Sequence, residues 1–334
     1  MLKRTLSGLL LLGLLLGLVG LGGFAYLLTA PMPAAALPAE FSVPPGSSLR
    51  AVAALLEEKG VLTRPGVFVL WARGRGQAGQ IKAGSYSVER AISVRDLLGK
   101  LTRGDTLLGK LTVVEGWSFR QMRAAIAAEP RLRGDSRDLA DADLLAAIGA
   151  AERHPEGLFF PDTYYFDVGG SDLAVYRRAY HAMQERLAAA WAARAEGLPY
   201  RTPYQALIMA SIIEKETGVA GERRLIASVF LNRLRIGMRL QTDPTIIYGL
   251  GAGFDGNLRR RDLERDTPYN TYTRAGLTPT PIALPGAAAL AAALNPERSP
   301  YIYFVARGDG SHEFSAGLTE HNRAVNRFQR RGGK

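Results

Sequence analysis

The stretch Leu207-Ile208-Met209-Ala210-Ser211-Ile212-Ile213-Glu214-Lys215-Glu216-Thr217 places two carboxylates at the end of an apolar run. Its apolar residues recur at helical spacing, which predicts a helix over residues 204–217. Successive residues of an α-helix advance by about 100°, so Glu214 and Glu216 point in nearly opposite directions. The two carboxylates therefore cannot act as a facing pair.

Glu216 is the stronger candidate for a chemical role. It lies seven residues after Met209 and three after Ile213, which places it on the apolar face of the predicted helix. A carboxyl beside apolar surface is partly desolvated, which raises its pKa and lets it hold a proton near neutral pH. Glu214 lies on a smaller, more polar face. This pattern alone leaves open that one glutamate is a solvated helix end and the other pairs with an arginine.

The segments that follow supply polar and aromatic side chains suited to binding a sugar. A predicted helix over residues 222–234 leads into a polar loop over 237–249, and residues 268–272 alternate aromatic and amide side chains. The predicted substrate-binding residues in these segments are Asn232, Gln241, Thr242, Asp243, Tyr248, Tyr269, Asn270 and Tyr272. Composition alone leaves open a set of well-capped loops without a ligand.

Two further patterns carry no chemistry. Gly74, Gly76 and Gly79 match the spacing of a dinucleotide fingerprint, but a helix is predicted before them and a turn after them. The fingerprint requires the opposite context, a strand before and a helix after. The four histidines show no metal-ligand spacing, and the chain contains 0 cysteines. The sequence predicts neither a metal site nor a cofactor.

The N-terminus predicts a membrane anchor. Lys3 and Arg4 precede an apolar run from Leu9 to Leu28, and 20 helical residues span about 30 Å, the thickness of a bilayer's hydrocarbon core. Positive residues before the run favour a cytoplasmic N-terminus, with the rest of the chain outside the cytoplasm. The alternative is a cleaved signal peptide, because Ala34-Ala35-Ala36 offers small residues nearby. A signal core is usually about 7–15 residues, which favours the retained anchor.

The sequence divides into an anchor, a linker and two folded parts. Residues 1–30 form the predicted transmembrane anchor, and residues 31–38, rich in proline and alanine, the linker. Residues 39–106 form a small unit and residues 107–332 a larger one, and both mix helices with strands, so the predicted fold class is α+β. The net charge of +11 suits anionic lipid, wall polymer or nucleic acid, but an exported location argues against nucleic acid.

Periodicity and capping residues predict the individual elements. Strands are expected at residues 40–43, 83–88, 107–114 and 301–306. Helices are expected at residues 49–56, 67–71, 93–101, 120–128, 139–151, 173–193, 204–217 and 222–234.

In the segments around Glu216 and the polar loops that follow it, the chain resembles the MltG (YceG-like) family of endolytic murein transglycosylases. The similarity to the family's catalytic domain lies in Gly157–Tyr165, Ser211–Thr217, Ser228–Gly249 and Pro268–Thr273. Residues 39–106 resemble its LysM-like subdomain, and the resemblance covers nearly the whole chain. It implies Glu216, the second glutamate of the pair, as the catalytic residue. Thr217 stands where related enzymes often have serine, and the resemblance implies Glu214 and Thr217 as substrate-binding residues.

The resemblance also implies the reaction, a non-hydrolytic cleavage of the β-1,4 bond between N-acetylmuramic acid and N-acetylglucosamine. One glutamate would protonate the leaving oxygen and then deprotonate the muramic 6-hydroxyl, which closes a 1,6-anhydro ring. The 2-acetamido group can stabilise the anomeric centre, so a second carboxylate is not required. The implied partners are peptidoglycan strands, the inner membrane and peptidoglycan synthases, and the implied role is to end glycan elongation.

Two other functions remain alternatives from the sequence. The first is a non-catalytic peptidoglycan-binding or scaffold protein of the cell-wall synthesis machinery, in which the LysM-like unit would bind glycan. The second is a membrane-tethered glycoside hydrolase, which would need a second carboxylate or another means of activating water. The masses of the products separate hydrolysis from transglycosylation, because hydrolysis adds water.

Overall fold

The computed structural model describes residues 2–33 and 37–330. They divide into two units: the first runs to Gly109 and includes Tyr165–Gly170, and the second comprises Lys110–Tyr164 and the residues from Ser171 onward. The boundary predicted between residues 106 and 107 leaves residues 165–170 in the larger unit, whereas in the structure they belong to the first unit. The alternative cleavage site Ala34–Ala36, which is part of the predicted linker, and the predicted final residues 331–332 lie outside the described residues.

The first unit combines a small antiparallel sheet with helices. Its elements are α1 (Leu2–Thr29), β1 (Ala39–Val43), α2 (Leu49–Glu58), α3 (Pro65–Gly74), β2 (Gly84–Val88) and α4 (Val94–Arg103). β1 pairs with β2 so that Phe41 lies opposite Tyr86, and the two rings stack with centroids 5.6 Å apart. Ser48 and Ser93 cap α2 and α4 by accepting backbone N–H bonds. The elements predicted here are confirmed, whereas the LysM-like likeness stays a prediction.

The helix α1 is long and apolar enough to cross a membrane between Leu10 and Thr29, with a mean hydropathy of 2.2. Its end also belongs to the core of the first unit, because Leu28 in the last turn and Met32 just after the helix are buried there. Phe24 meets Trp71 edge-on, with ring centroids 6.4 Å apart. The end of the apolar helix therefore packs on the core of the first unit, while the predicted bounds of anchor and linker stay predictions.

The second unit is mainly helical. Its helices are α5 (Phe119–Ala127), α6 (Asp141–Ile148), α7 (Asp172–Ala192), α8 (Pro203–Glu216), α9 (Arg223–Arg235), α10 (Asp243–Leu250), α11 (Arg260–Glu264), α12 (Ala287–Leu294) and α13 (Leu318–Val325). The strands β3 (Leu108–Thr112) and β4 (Thr163–Asp167) form a second two-stranded sheet. A third pair, β5 (Tyr303–Ala306) and β6 (His312–Ser315), is antiparallel.

The helix α8 lies at the centre of the second unit. Thr202 caps its first turn, Pro203 occupies the first helical position, and every residue from Ala206 to Ile213 is buried. The helices α7, α9, α10 and α12 pack against it. α12 is rich in alanine, which allows its backbone to come close to α8. A helix buried on all sides has no single apolar face, so the face assignment made from the sequence does not hold.

The predicted loop over residues 237–249 is wrong in its second half, which forms α10. Thr242 stands at the N-cap position and Pro244 within the first turn, a start signal that the polar composition obscured. The sequence also gave no expectation of β4, α12, β6 or α13. The aromatic block that contains β4 and the alanine run of α12 lack clear periodicity, and tertiary contacts determine their conformation.

Candidate active site

Glu216 is the last residue of α8, and its carboxylate is oriented by a strong hydrogen bond. Thr242 Oγ1 donates to Glu216 Oε2 at 2.6 Å. Burial raises the pKa of Glu216, and the nearby negative charge of Asp243 raises it further, while the Thr242 hydrogen bond lowers it. A carboxyl that holds its proton near neutral pH can serve as a general acid.

Two other threonines, Thr245 and Thr271, fix the position of Thr242. The backbone N–H of Thr242 donates to Thr271 Oγ1 at 3.1 Å, and the Thr245 and Thr271 hydroxyls lie 2.9 Å apart. Gln241, just before Thr242, has a positive φ of 51° and donates its N–H to the carbonyl of Thr271. These contacts join the start of α10 to the segment around residue 271, so Thr242 is rigidly presented to Glu216.

Asp243 and Tyr272 form a second contact beside the threonines. The Tyr272 hydroxyl donates to Asp243 Oδ1 at 2.6 Å. Burial raises the pKa of Tyr272, followed by its hydrogen bond to Asp243 and the negative charges of Asp243 and Glu216. The structure therefore brings together four predicted site residues, namely Glu216, Thr242, Asp243 and Tyr272.

Two basic side chains near Glu216, those of Arg233 and His312, were not among the predicted site residues. Arg233 is buried in α9, where Nε donates to the carbonyl of Ile302 and Nη1 to that of Leu240. The Nδ1 atom of His312, on β6, lies 2.7 Å from Glu222 Oε2. The positive charges of His312 and Arg233 lower the pKa of Glu216, against the effect of burial. The position of Arg233 three residues after Phe230, on the apolar face of α9, was the available signal.

Glu214 has different partners from Glu216. Its Oε2 accepts the backbone N–H of Gly286 at 2.9 Å, and its Oε1 lies 3.9 Å from Arg223. Burial raises the pKa of Glu214 as well, so desolvation alone does not distinguish the two glutamates. What distinguishes them is that Glu214 connects α8 to the start of α12, whereas Glu216 meets the threonine and tyrosine cluster.

A cleft of about 630 Å³ in the same unit contains another buried carboxyl, Glu156. Its Oε1 accepts the N–H of Phe119 at 2.9 Å, and burial raises its pKa to about 7. Tyr248, which lines the same cleft, lowers the pKa of Glu156 against the effect of burial, and its ring meets that of Tyr269 edge-on with centroids 4.9 Å apart. Sequence reasoning missed Glu156, although it directly precedes the motif quoted from Gly157.

The two predicted asparagines, Asn232 and Asn270, donate their side-chain N–H groups to backbone carbonyls. Asn232 Nδ2 donates to the carbonyls of Ser299 and Tyr301, both at 2.9 Å. Asn270 is 1% exposed, and its Nδ2 donates to three carbonyls, the shortest bond being 2.7 Å to Arg265. Thr217 likewise uses its hydroxyl to accept the N–H of Val219. The substrate-binding roles of these residues stay predictions, and the observed geometry gives each of them a structural role.

The model of the YceG-like family matches residues 41–327 of the sequence. The chain belongs to the YceG-like family. This membership confirms the family predicted from the motifs around Glu216. A crystal structure of a yceG-like protein from Listeria monocytogenes is 32% identical and covers 86% of this chain and 99% of its own, with a TM-score of 0.55.

Two bacterial relatives carry functional names. A protein of Bacillus subtilis (strain 168) called endolytic murein transglycosylase is 33% identical over 304 residues, which cover 86% of this chain and 84% of that protein. A protein of Streptococcus pneumoniae serotype 2 with the same name is 27% identical over 351 residues. That match covers 93% of this chain but 62% of the streptococcal protein, so the chain spans less than two thirds of that relative.

Proposed function

We propose that this protein is a membrane-anchored lytic transglycosylase that cleaves peptidoglycan strands internally, with Glu216 as its acid and base. The enzyme class predicted from the sequence is confirmed by the two relatives called endolytic murein transglycosylase, which match most of the chain. The observation that carries the proposed role of Glu216 is its geometry. It is a carboxyl with a pKa raised by burial, oriented by Thr242 at 2.6 Å and placed among the polar residues of one cluster.

The proposed reaction uses the same carboxyl twice. Protonated Glu216 donates its proton to the glycosidic oxygen of N-acetylglucosamine as the bond to C1 of N-acetylmuramic acid breaks. The 2-acetamido group stabilises the positive charge that develops at C1. Ionised Glu216 then removes the proton of the muramic 6-hydroxyl, whose oxygen bonds to C1 and closes the 1,6-anhydro ring. The carboxyl returns to its starting protonation state, and no water is consumed.

The partners of Glu214 support a mechanism with one carboxyl. Glu214 accepts the Gly286 N–H and lies near Arg223, so it is engaged away from the threonine cluster. An intramolecular hydroxyl has an effective concentration of about 10⁵ M or more when well oriented, so water at about 55 M competes poorly without a base to position it. We therefore assign Glu214 a positioning role at the junction of α8 and α12.

The first unit and α1 define where the enzyme acts. We place α1 across the inner membrane with the N-terminus in the cytoplasm, so the chain after α1 lies outside the cytoplasm. The LysM-like unit would hold a glycan strand, and the cut would end the elongation of nascent strands beside the peptidoglycan synthases. The apolar span from Leu10 to Thr29 supports the anchoring, and the family resemblance supports the remaining roles.

The test is mass analysis of the products that the full-length protein, in detergent, releases from purified peptidoglycan. We expect muramic ends that carry the 1,6-anhydro ring, about 18 mass units lighter than reducing ends because one water is not added. Internal cleavage predicts long fragments early in the reaction rather than a steady release of disaccharides.

Glycoside hydrolysis remains the second candidate because the structure adds a carboxyl that could activate water. Glu156 is buried, and its pKa of about 7 is suited to acid–base chemistry. A product mixture dominated by reducing muramic ends would favour hydrolysis, and Glu156→Gln would then abolish those ends. A complete lack of cleavage, with retained binding to peptidoglycan, would instead favour the non-catalytic scaffold.

A further inference from the structure

A basic pocket of about 460 Å³ lies at the outer end of α1, entirely within the first unit. It is formed where α1 meets the last turn of α3 and one side of α4. Its lining includes Thr29, Trp71, Arg75, Arg95, Asp96 and Arg103. Three arginines against one aspartate make the pocket attractive to an anion.

Two of these arginines have no charged partner. No ion pair within the described residues includes Arg75 or Arg95, and both side chains are exposed. The Arg75 guanidinium lies 5.6 Å from the ring centroid of Trp71, which holds it at the pocket wall. The single aspartate already accepts a hydrogen bond from the Ser93 hydroxyl at 2.7 Å.

The third arginine is presented to the pocket by a glycine. Arg103 donates to Asp105 through Nε and Nη2 and so leaves Nη1 free of that contact. Nη1 lies over Gly99, where an added Cβ would approach it to 2.9 Å. The glycine therefore leaves the space that this guanidinium occupies beside the cavity.

The position of the pocket along α1 determines what it can meet. The apolar span ends at Thr29, one of the residues that line the pocket. Tyr26, one turn earlier, is 66% exposed, as expected of a ring at the interface between hydrocarbon and headgroups. With α1 inserted as proposed above, the three guanidinium groups lie at the level of lipid phosphates.

We propose that this pocket binds the phosphate group of an anionic membrane lipid and thereby fixes the first unit on the bilayer surface. Guanidinium groups match phosphate oxygens with paired N–H donors, and Trp71 supplies the ring that packs beside the headgroup and upper acyl chain. The proposal rests on the membrane insertion of α1, which is part of the proposed function. It does not depend on the chemistry of Glu216.

The test measures lipid binding by the full-length protein, delipidated in detergent and titrated with phosphatidylglycerol under native mass spectrometry. We expect Arg75→Gln/Arg95→Gln to weaken phosphatidylglycerol binding by about tenfold or more, because charge-assisted bonds to phosphate are lost. The matched control is Arg50→Gln/Arg73→Gln, which removes the same charge from exposed positions of the same unit that do not line the pocket. The control should bind like the wild type.

Further arms separate the sources of phosphate and the role of the anchor. Phosphatidylcholine should bind more weakly than phosphatidylglycerol, and millimolar inorganic phosphate or pyrophosphate should not displace the lipid. Displacement by either soluble anion would overturn the lipid assignment, and an equal loss of binding in both double variants would show a diffuse charge effect instead.

The wild type and both double variants should float with phosphatidylglycerol vesicles. Failure of the wild type to float would overturn the anchor and the pocket together, whereas loss of lipid selectivity alone would overturn the pocket.

Discussion

At the scale of single residues, the contrast between Glu214 and Glu216 explains how two similar carboxyls on one helix can differ in role. Burial raises the pKa of both. Glu214 accepts a backbone N–H from Gly286, whereas Glu216 accepts a side-chain hydroxyl from Thr242. The nearby charges of Asp243, His312 and Arg233 act on the pKa of Glu216 in both directions, so its proton affinity depends on several side chains.

Glu216→Gln should reduce the cleavage of peptidoglycan by at least about 10²-fold, because the amide keeps the shape but cannot transfer a proton. Glu214→Gln is the matched control on the same helix, since its amide oxygen can still accept the Gly286 N–H. Muropeptide release measures activity, and the melting temperature reports folding. Loss of activity in the Glu214 variant alone would reverse the assignment.

Thr242→Val should shift the pH dependence of cleavage upward. The Thr242 hydroxyl lowers the pKa of Glu216, so its removal raises that pKa. The acid step requires protonated Glu216, so it is lost as the pH rises through the pKa that Glu216 has in the folded protein. The alkaline limb of kcat should therefore move to higher pH in Thr242→Val and stay in place in Thr242→Ser. A limb that moved to lower pH would contradict this role of the hydroxyl.

At the scale of elements, the segment after α10 depends on a buried amide. Asn270 donates to the carbonyls of Asp262, Leu263 and Arg265, which end the short helix α11. Its Oδ1 accepts the N–H of Tyr272, which orients the tyrosine that bonds to Asp243. The amide thus connects α11 to the start of α10 through one aromatic side chain.

Asn270→Ala should lower the free energy of unfolding by about 1–3 kcal/mol, because buried carbonyls lose their donor. Asn257→Ala, which changes an exposed asparagine earlier in the same segment, should change it by less than about 0.5 kcal/mol. Urea unfolding of both variants provides the comparison. If Asn270→Ala kept full stability and raised only the KM for glycan, the residue would be a ligand contact instead.

At the scale of the whole chain, the end of the apolar helix α1 and the residues just after it belong to the core of the first unit. Leu28 and Met32 are 6% and 1% exposed and lie in the core formed by β1, β2 and α2–α4. The backbone N–H of Met32 donates to the carbonyl of Ile92 at 2.9 Å. The end of α1 is therefore fixed to the core of the first unit.

A fragment that begins at residue 37 should be less stable than one that begins at Phe24. The shorter fragment lacks Leu28 and Met32, and the loss of a large buried apolar side chain costs about 2–5 kcal/mol. Thermal unfolding of the two fragments, followed by circular dichroism, measures the difference. Identical transitions would show that the end of α1 contributes nothing to the core.

The orientation of the whole chain is a separate expectation. Lys3 and Arg4 precede the apolar span, so a reporter fused after Lys334 should be active outside the cytoplasm and sediment with membranes. Cytoplasmic activity of the reporter would contradict the orientation. Release of the reporter into the soluble periplasm would support signal cleavage.

Features that depend on residues close together in the chain could be predicted from the sequence. The apolar span, the serine caps at Ser48 and Ser93 and most helices follow from local hydrogen bonding and periodicity. The motif around Glu216 identified the family and the catalytic candidate. Local patterns could not show that α8 is buried on every side, because that burial comes from α7, α9, α10 and α12.

The groups that surround each carboxyl come from distant parts of the chain and are seen only in the tertiary structure. The Thr242 bond to Glu216 joins residues 26 positions apart, and the Gly286 bond to Glu214 joins residues 72 apart. The same holds for Asn270, whose amide donates to backbone carbonyls, and for Leu28, which lies at the end of α1 and packs into the core of the first unit. Such contacts depend on how the helices pack in three dimensions, and the spacing of residues along the sequence does not predict that packing.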